Sequence, residues 1–436
     1  MSWKRTATLF LVSQALSLFG TALVQYALLW HVTLTTKSGV VMTVYILCGF
    51  VPAFFVSPFA GVWADRMDRK RLMILSDGTI ALVTLLLALV MQRGGQGGQA
   101  MWLIMLTAAV RAVGQAVQMP AVGAFLPQFV PPDQLTRING IQSTIQSATF
   151  FGAPVLAGFL MSVWPLAWVF LLDVVTAAVA IAMLAFLVHV PPHERAAKAE
   201  HVSYFEDLAA GFVYVRGHRF FLAYFAFVGG LLILVAPAAF LTPLQVTRTY
   251  GSDVWRLTAI EMVFSVGMMI GGALMAAWGG FRNRIHTMFL STGIMGACTV
   301  LLGVMPNFWV YLVPMGVFGL ALPLYNAAAM VLVQEQSEPE LLGRVMGVFT
   351  MLSMSMMPLG MLIFGPLAEV VRIEWLLIAT GAAMLLQLLW VSRNRTLVEG
   401  GLAPATPAGT GDANDAKTED ATTDVATDAT TDATTA

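Results

Sequence analysis

The chain has 436 residues, of which 58% are hydrophobic and 11% charged, and its formal net charge is −1. Its mean hydropathy is +0.78. Apolar runs recur from residue 7 to residue 391 with little interruption, more than a single water-soluble core absorbs, and the charge balance gives no case for nucleic-acid binding.

In chain order, runs of roughly 20 apolar residues, the length that crosses a bilayer, fall at about 7–30, 41–63, 73–91, 101–122, 139–162, 166–190, 220–244, 257–279, 286–304, 307–331, 346–369 and 374–391. The expected fold is therefore an all-α integral membrane protein of twelve transmembrane helices. The first run follows Lys4 and Arg5 without a small-residue cleavage signal, so it reads as a spanning helix rather than a leader. Cys48 and Cys298 both lie in apolar runs and fit buried thiols better than a disulfide or metal ligands. With both termini cytoplasmic, the inside segments hold sixteen Lys and Arg and the outside segments five, the bias expected of cytoplasmic loops. The expected location is a cell inner or plasma membrane.

Residues 191–219 form the longest internal connection. They open on PPHERAAKAEH and continue with Tyr204, Phe205, Leu208, Phe212 and Val215 at helical spacing, as in an amphipathic surface helix. The expected organisation is a six-helix half over 1–190, a linker over 191–219, a second half over 220–395 and a disordered acidic tail over 396–436. A weak repeat supports parallel halves: PDQLTRING (132–140) and PELLGRVMG (339–347) fall in equivalent loops.

The loop GVWADRMDRKRLM (61–73) holds six charged residues. Its basic residues fit a solvated inside-facing anchor. Asp65, four residues after Gly61, fits a contact made in one conformation and broken in another. Gly61 is expected to end the second helix and to admit a neighbouring helix. Gly61, Asp65, Arg66, Arg69, Lys70 and Arg71 resemble the signature loop of the major facilitator superfamily, which implies a latch between two six-helix halves. The counterpart Trp278–Arg284 keeps glycine and basic residues but lacks the aspartate. Further segments are similar to the macrolide-efflux branch of drug:proton antiporters: Ser13-Gln14, Ser17-Leu18-Phe19-Gly20 and Leu23-Val24-Gln25; Ile141-Gln142-Ser143 and Pro154; Phe170-Leu171-Leu172-Asp173; and Phe205-x-Asp207-Leu208-x-x-Gly211-Phe212-x-Tyr214. This resemblance covers most of the first 395 residues. It implies proton-driven export of amphiphilic or hydrophobic compounds, macrolide-like drugs or bile salts, by a protein that acts as a monomer. The alternative is a proton-coupled importer, or a siderophore or metabolite transporter of the same fold.

Charges within the spans are costly and point to function or to internal pairing. Arg111 lies near the middle of its span, and Arg111-x-x-Gly114 resembles the fourth-helix arginine motif of proton-coupled members. Arginine holds its proton, so its role is to set the field around a carboxylate or a substrate, or to pair structurally. Asp173 and Glu261 are the candidate proton carriers, with Arg256 a structural partner for Glu261. Asp77 is expected to pair with Arg69 or Arg71. Gln14, Gln25, Gln142, Gln146, Tyr325, Asn326 and Met354 are candidate cavity residues; each alone also fits a helix contact, as the methionines between Thr350 and Met361 also fit core packing. Gly152, Pro154 and Gly158, and Gly365-Pro366, mark places to bend or pack closely. No metal-ligand cluster, cofactor motif or catalytic motif is present; GQGGQ (95–99) lacks the lysine of a phosphate loop. The expectation is a transporter with no cofactor, and not an enzyme.

Overall fold

The computed structural model describes residues 3–93, 98–188, 190 and 204–401, without the side chains of Asp65, residues 98–100 and residues 204–208. Most of the GQGGQ turn, residues 191–203 of the 191–219 connection and the tail from 402 fall outside the described residues, as do the side chains of Tyr204, Phe205 and Leu208. Among the described residues every element is helical, and twelve helices are long and apolar enough to span a membrane.

The first six spans are α1 (Trp3–Thr36), α2 (Gly39–Arg66), α3 (Arg69–Gln92), α4 (Gly98–Phe125), α5 (Leu135–Val163) and α6 (Leu166–Ala182), the last extended by a π-helical turn, Met183–Leu187. After α7 (Tyr204–Gly217), the seventh span is built from α8 (Arg219–Phe240) and α9 (Thr242–Thr249). It runs five residues past the expected limit at 244 and breaks at Leu241, because Pro243 in the first turn of α9 has no N–H to continue the ladder. The remaining spans are α10 (Val254–Trp278), α11 (Arg284–Val304), α12 (Phe308–Gln336), α13 (Leu342–Val370) and α14 (Ile373–Arg393); a short α15 (Arg395–Glu399) follows.

Successive helices alternate direction, so one end of the bundle carries the short loop after α2, the start of α5, α7 and both described chain ends. This is the basic end. Asp68 caps α3 there, accepting from the backbone N–H of Lys70 at 3.0 Å and of Arg71 at 3.3 Å. Asn283 caps α11 in the same way, accepting from the N–H of Ile285 at 3.0 Å. Gly61 does not end α2, which continues to Arg66. A glycine stops a helix when it turns left-handed, as Gly279 does after α10 with φ 75°, whereas Gly61 keeps helical backbone.

The two halves meet along α2 with α13 and α5 with α10, and at the end opposite the basic one. There Arg248 donates to the carbonyls of Lys37 (2.5 and 3.0 Å) and Ala368 (2.7 Å) and to Glu369 (3.3 Å), and Glu369 accepts from Ser38 Oγ at 2.6 Å. Lys37 takes a left-handed φ of 49°, which reverses the chain between α1 and α2 at this clasp. Thr43 Oγ1 donates across the seam to Met361 O at 3.2 Å. At the basic end the halves diverge: a Cβ added at Gly61, Gly140, Gly272 or Gly347 would meet no atom within 4 Å. The bundle is open at its basic end and closed at the other. α7 packs on the second half, with Gly211 against the carbonyl of Arg344 and Val215 buried, while Phe212 is exposed.

Gly365 is where α2 and α13 touch most closely: a Cβ there would stand 3.0 Å from Gly39 O and from Thr43 Cβ. Gly365→Leu is therefore expected to part the helices at the closed end. Maleimide labelling of a Thr43→Cys reporter, in a chain with Cys48 and Cys298 replaced by serine, should rise sharply with this substitution; unchanged labelling contradicts the seam.

Candidate functional site

The sequence forces several polar groups into the interior of the first half, and the structure sorts them into two layers. In the upper layer Arg111 on α4 donates from Nη1 to Asp173 Oδ2 on α6 at 2.7 Å and to Thr84 Oγ1 on α3 at 2.5 Å, and from Nη2 to Thr21 O on α1 at 3.0 Å. Both charged side chains are buried, 3% and 1% exposed. Gly20 on α1 leaves the space: a Cβ there would come within 2.7 Å of Asp173 Oδ1. In the lower layer, nearer the basic end, Asp77 Oδ1 on α3 accepts from Ser17 Oγ on α1 and from Gln118 Nε2 on α4, both at 2.8 Å. Seven residues separate Asp77 from Thr84 and Arg111 from Gln118, which sets the layers about 10 Å apart at 1.5 Å per residue.

Asp77 does not pair with Arg69 or Arg71. It faces the interior two turns farther along α3, while those cations turn to helix ends and solvent. Arg69 donates to Ala64 O (2.8 Å) and Ala124 O (2.7 Å), Lys70 to Ala185 O (2.9 Å) and Val188 O (2.8 Å), and Arg71 pairs with Asp68 at 3.5 Å in the open. The loop thus staples the carbonyl ends of α2, α4 and the turn after α6 to α3. Arg66 is exposed, and the Asp65 side chain lies outside the described residues. In the second half Arg284 pairs with Glu335 at 3.3 Å.

Two cavities meet along Gln25, Leu29 and Gln115. One, of about 390 Å³, spans the halves: Tyr45 and Arg111 face Phe240, Met354, Met357 and Pro358. The other, of about 380 Å³, is lined by Gln14, Gln25, Gln115, Gln118, Gln142 and Gln146, with Tyr26, Met119 and Phe150 supplying apolar surface. The structure therefore brings Gln14, Gln25, Gln142 and Gln146 to one wall, with Met354 in the adjoining space. Tyr325 is buried, its hydroxyl without a hydrogen-bond partner among the described residues, and Asn326 is exposed; neither lines these two cavities. Sequence reasoning missed Gln115 and Gln118, although both sit at i+4 and i+7 from Arg111, on the same helix face.

Glu261 on α10 is half-buried and, among the described residues, makes no ion pair or hydrogen bond. Arg256 does not pair with it: five residues place the two about 140° apart around the helix, and Arg256 binds Asp253 and lies over the Trp255 ring, 5.0 Å from its centroid.

Removing one partner of a buried ion pair leaves an uncompensated charge and costs about 3–5 kcal/mol, whereas replacing both by apolar groups is close to neutral. Arg111→Met and Asp173→Leu should each lower the melting temperature of the purified protein markedly, and the double variant should recover most of the loss. Additive losses would contradict the pairing.

Three comparisons bear on this arrangement. The sequence profile of the Major Facilitator Superfamily matches residues 7–361 and, overlapping, 243–407. The chain is 29% identical over 382 residues to macrolide efflux protein A of Streptococcus pyogenes, covering 87% of this chain and 93% of that one. It is 27% identical over 375 residues to the multidrug efflux pump Tap of Mycobacterium tuberculosis, covering 81% and 85%. Among solved structures, a bacterial homologue of the iron transporter ferroportin in an inward-facing state superposes with a TM-score of 0.70 at 16% identity, over 92% of this chain and 100% of that chain. The nucleoside transporter NupG superposes with a TM-score of 0.65 at 15% identity, over 89% and 98%. With twelve spanning helices in two six-helix halves and a profile match over most of its length, this chain belongs to the Major Facilitator Superfamily.

Proposed function

We propose that the protein exports amphiphilic compounds of the macrolide type in exchange for protons. The observation that carries this reading is the cavity lined by six glutamines beside a buried Arg111–Asp173 pair. A glutamine amide both donates and accepts, so the wall matches the hydroxyls, carbonyls and ether oxygens of a large uncharged or weakly charged molecule. Met354, Met357, Phe150 and Met119 offer adaptable apolar surface to its other face. Arg111 is already neutralised by Asp173, so the cavity is not built to select anions. The relatives named for macrolide and multidrug efflux support export over import.

The excess of Lys and Arg at the basic end assigns that end to the cytoplasm, with both termini inside. The conformer is then inward-open, poised to load substrate from the cytoplasm or the inner leaflet. Residues 1–190 and 220–395 act as rocking halves and 191–219 as the linker. Asp173, with its field set by Arg111, and Glu261 carry coupling protons inward. Asp65 closes with Arg66, Arg69, Lys70 and Arg71 as a latch around Gly61 when the basic end shuts.

Everted membrane vesicles test the reading. Radiolabelled erythromycin and cholate are offered in turn, and erythromycin should accumulate only while an inward-acid proton gradient is maintained. Accumulation that survives collapse of all ion gradients contradicts antiport, and efflux from preloaded everted vesicles indicates import. Asp65→Ala should insert normally yet slow turnover by about ten-fold, the effect of roughly 1.4 kcal/mol on a barrier; normal turnover contradicts the latch.

A further inference from the structure

Asp77 is a buried carboxyl that no step above uses. It is 3% exposed, and among the described residues its partners are the neutral Ser17 and Gln118, with no ion pair. Every element packed around it has its charges committed elsewhere. α1 brings Ser17; α4 brings Gln118, and its Arg111 is held by Asp173 one layer away; α6 brings Asp173 itself. On α2, Tyr45 stands near Arg111 and Arg66 is exposed at the helix end. On α3 itself, Lys70 and Arg69 are turned to helix-end carbonyls. A permanently charged carboxylate in such a place is expensive without a counter-ion. A carboxyl that changes protonation state during the cycle is not.

The hydrogen bonds are arranged for that change. Ser17 and Gln118 both donate to the same oxygen, Oδ1, and Oδ2 accepts from none of the described residues. Oδ2 can therefore take up a proton from water and return it while Ser17 holds Oδ1. Gln118 is shared: its amide bonds Asp77 and also lines the glutamine cavity. An ionised carboxylate is an acceptor only, so it fixes Gln118 with the N–H toward Asp77 and the carbonyl oxygen free for the cavity. A protonated Asp77 removes that constraint and can donate to the same amide oxygen.

We propose that Asp77 is a further proton-carrying carboxyl beside Asp173 and Glu261, one layer nearer the basic end than Asp173, and that the Gln118 amide couples its protonation to substrate binding. A substrate hydroxyl donates to Gln118 Oε1 when Asp77 is ionised. Protonation of Oδ2 withdraws that acceptor and weakens binding. Proton and substrate thus compete for one amide, the linkage that exchange requires. The proposal rests on the antiport reading above and locates its coupling.

The test uses the full chain reconstituted in vesicles with radiolabelled erythromycin. A pH difference of about one unit drives roughly ten-fold accumulation per coupled proton. Two assays are compared: counterflow at equal pH, which needs binding and rocking only, and uphill accumulation. Asp77→Asn, neutral like the protonated acid, should bind erythromycin more weakly with an affinity that no longer falls as pH is lowered, keep counterflow at saturating substrate, and lose the accumulation contributed through this site. Asp77→Glu should restore both, and Gln118→Met should make affinity independent of pH in an otherwise native chain. Unchanged accumulation and pH dependence in Asp77→Asn overturns the proposal. So does loss of counterflow in Asp77→Asn without rescue by Asp77→Glu, which marks a structural role. A native chain that accumulates nothing under the gradient instead overturns the antiport reading, and the coupling with it.

Discussion

The ion pair between Arg111 and Asp173 is the constraint around which the first half is arranged. Each charge placed alone at the centre of a spanning helix costs about 3 kcal/mol on the insertion scale. Neither is left alone: four helices contribute to one buried knot, with Thr84 and the carbonyl of Thr21 completing the shell of the guanidinium. That knot ties α1, α3, α4 and α6 into a unit. It explains why Gly20 lacks a side chain, and why α4 carries its polar residues on the single face defined by Arg111, Gln115 and Gln118. The same face then becomes the wall of the cavities, so the groups that hold the half together also shape the space beside it.

The second half is tied differently. Its interior bonds are neutral, as where Tyr311 donates to Gln245 and Gln245 donates to Leu302 O. Its ion pairs lie toward its ends, at Arg248–Glu369 and Arg284–Glu335. A charged half with two polar layers therefore faces a half whose contribution to the cavity is mainly apolar, Phe240, Met354, Met357 and Pro358 with one serine, Ser353. Contact between them is concentrated at the clasp of Arg248, Glu369, Ser38 and Lys37 and along two seams of small residues. Small residues let helices slide and separate without leaving large cavities. Contact at one end and open space at the other follow from this distribution.

Much of this was legible in the residues. The apolar runs fix the number of spans, and the loop with Gly61, Asp65 and Arg66 fixes the family, because both are local patterns. Glutamines in apolar spans are legible as cavity residues, since a buried amide needs a partner. What failed depends on which way a helix faces. Arg69 and Arg71 are the cations nearest Asp77 in sequence, but the rotation of α3 sends it inward to Ser17 and Gln118. Arg256 and Glu261 look adjacent until the helical turn separates them. Glycine is a common helix terminator, but it ends a helix by turning left-handed, as Gly279 does, and Gly61 keeps helical backbone angles. The pairing of Arg111 with Asp173 joins residues 62 positions apart, and no local pattern announces it.

The central claim is that substrate and proton occupy the same half and exclude one another. Its most direct measurement is proton release on binding: erythromycin added to the purified native protein in weakly buffered detergent near neutral pH, followed with a pH-indicator dye. The account predicts acidification that saturates with binding and is absent when substrate is added to detergent alone. Saturable binding with no acidification, or with proton uptake, would contradict it.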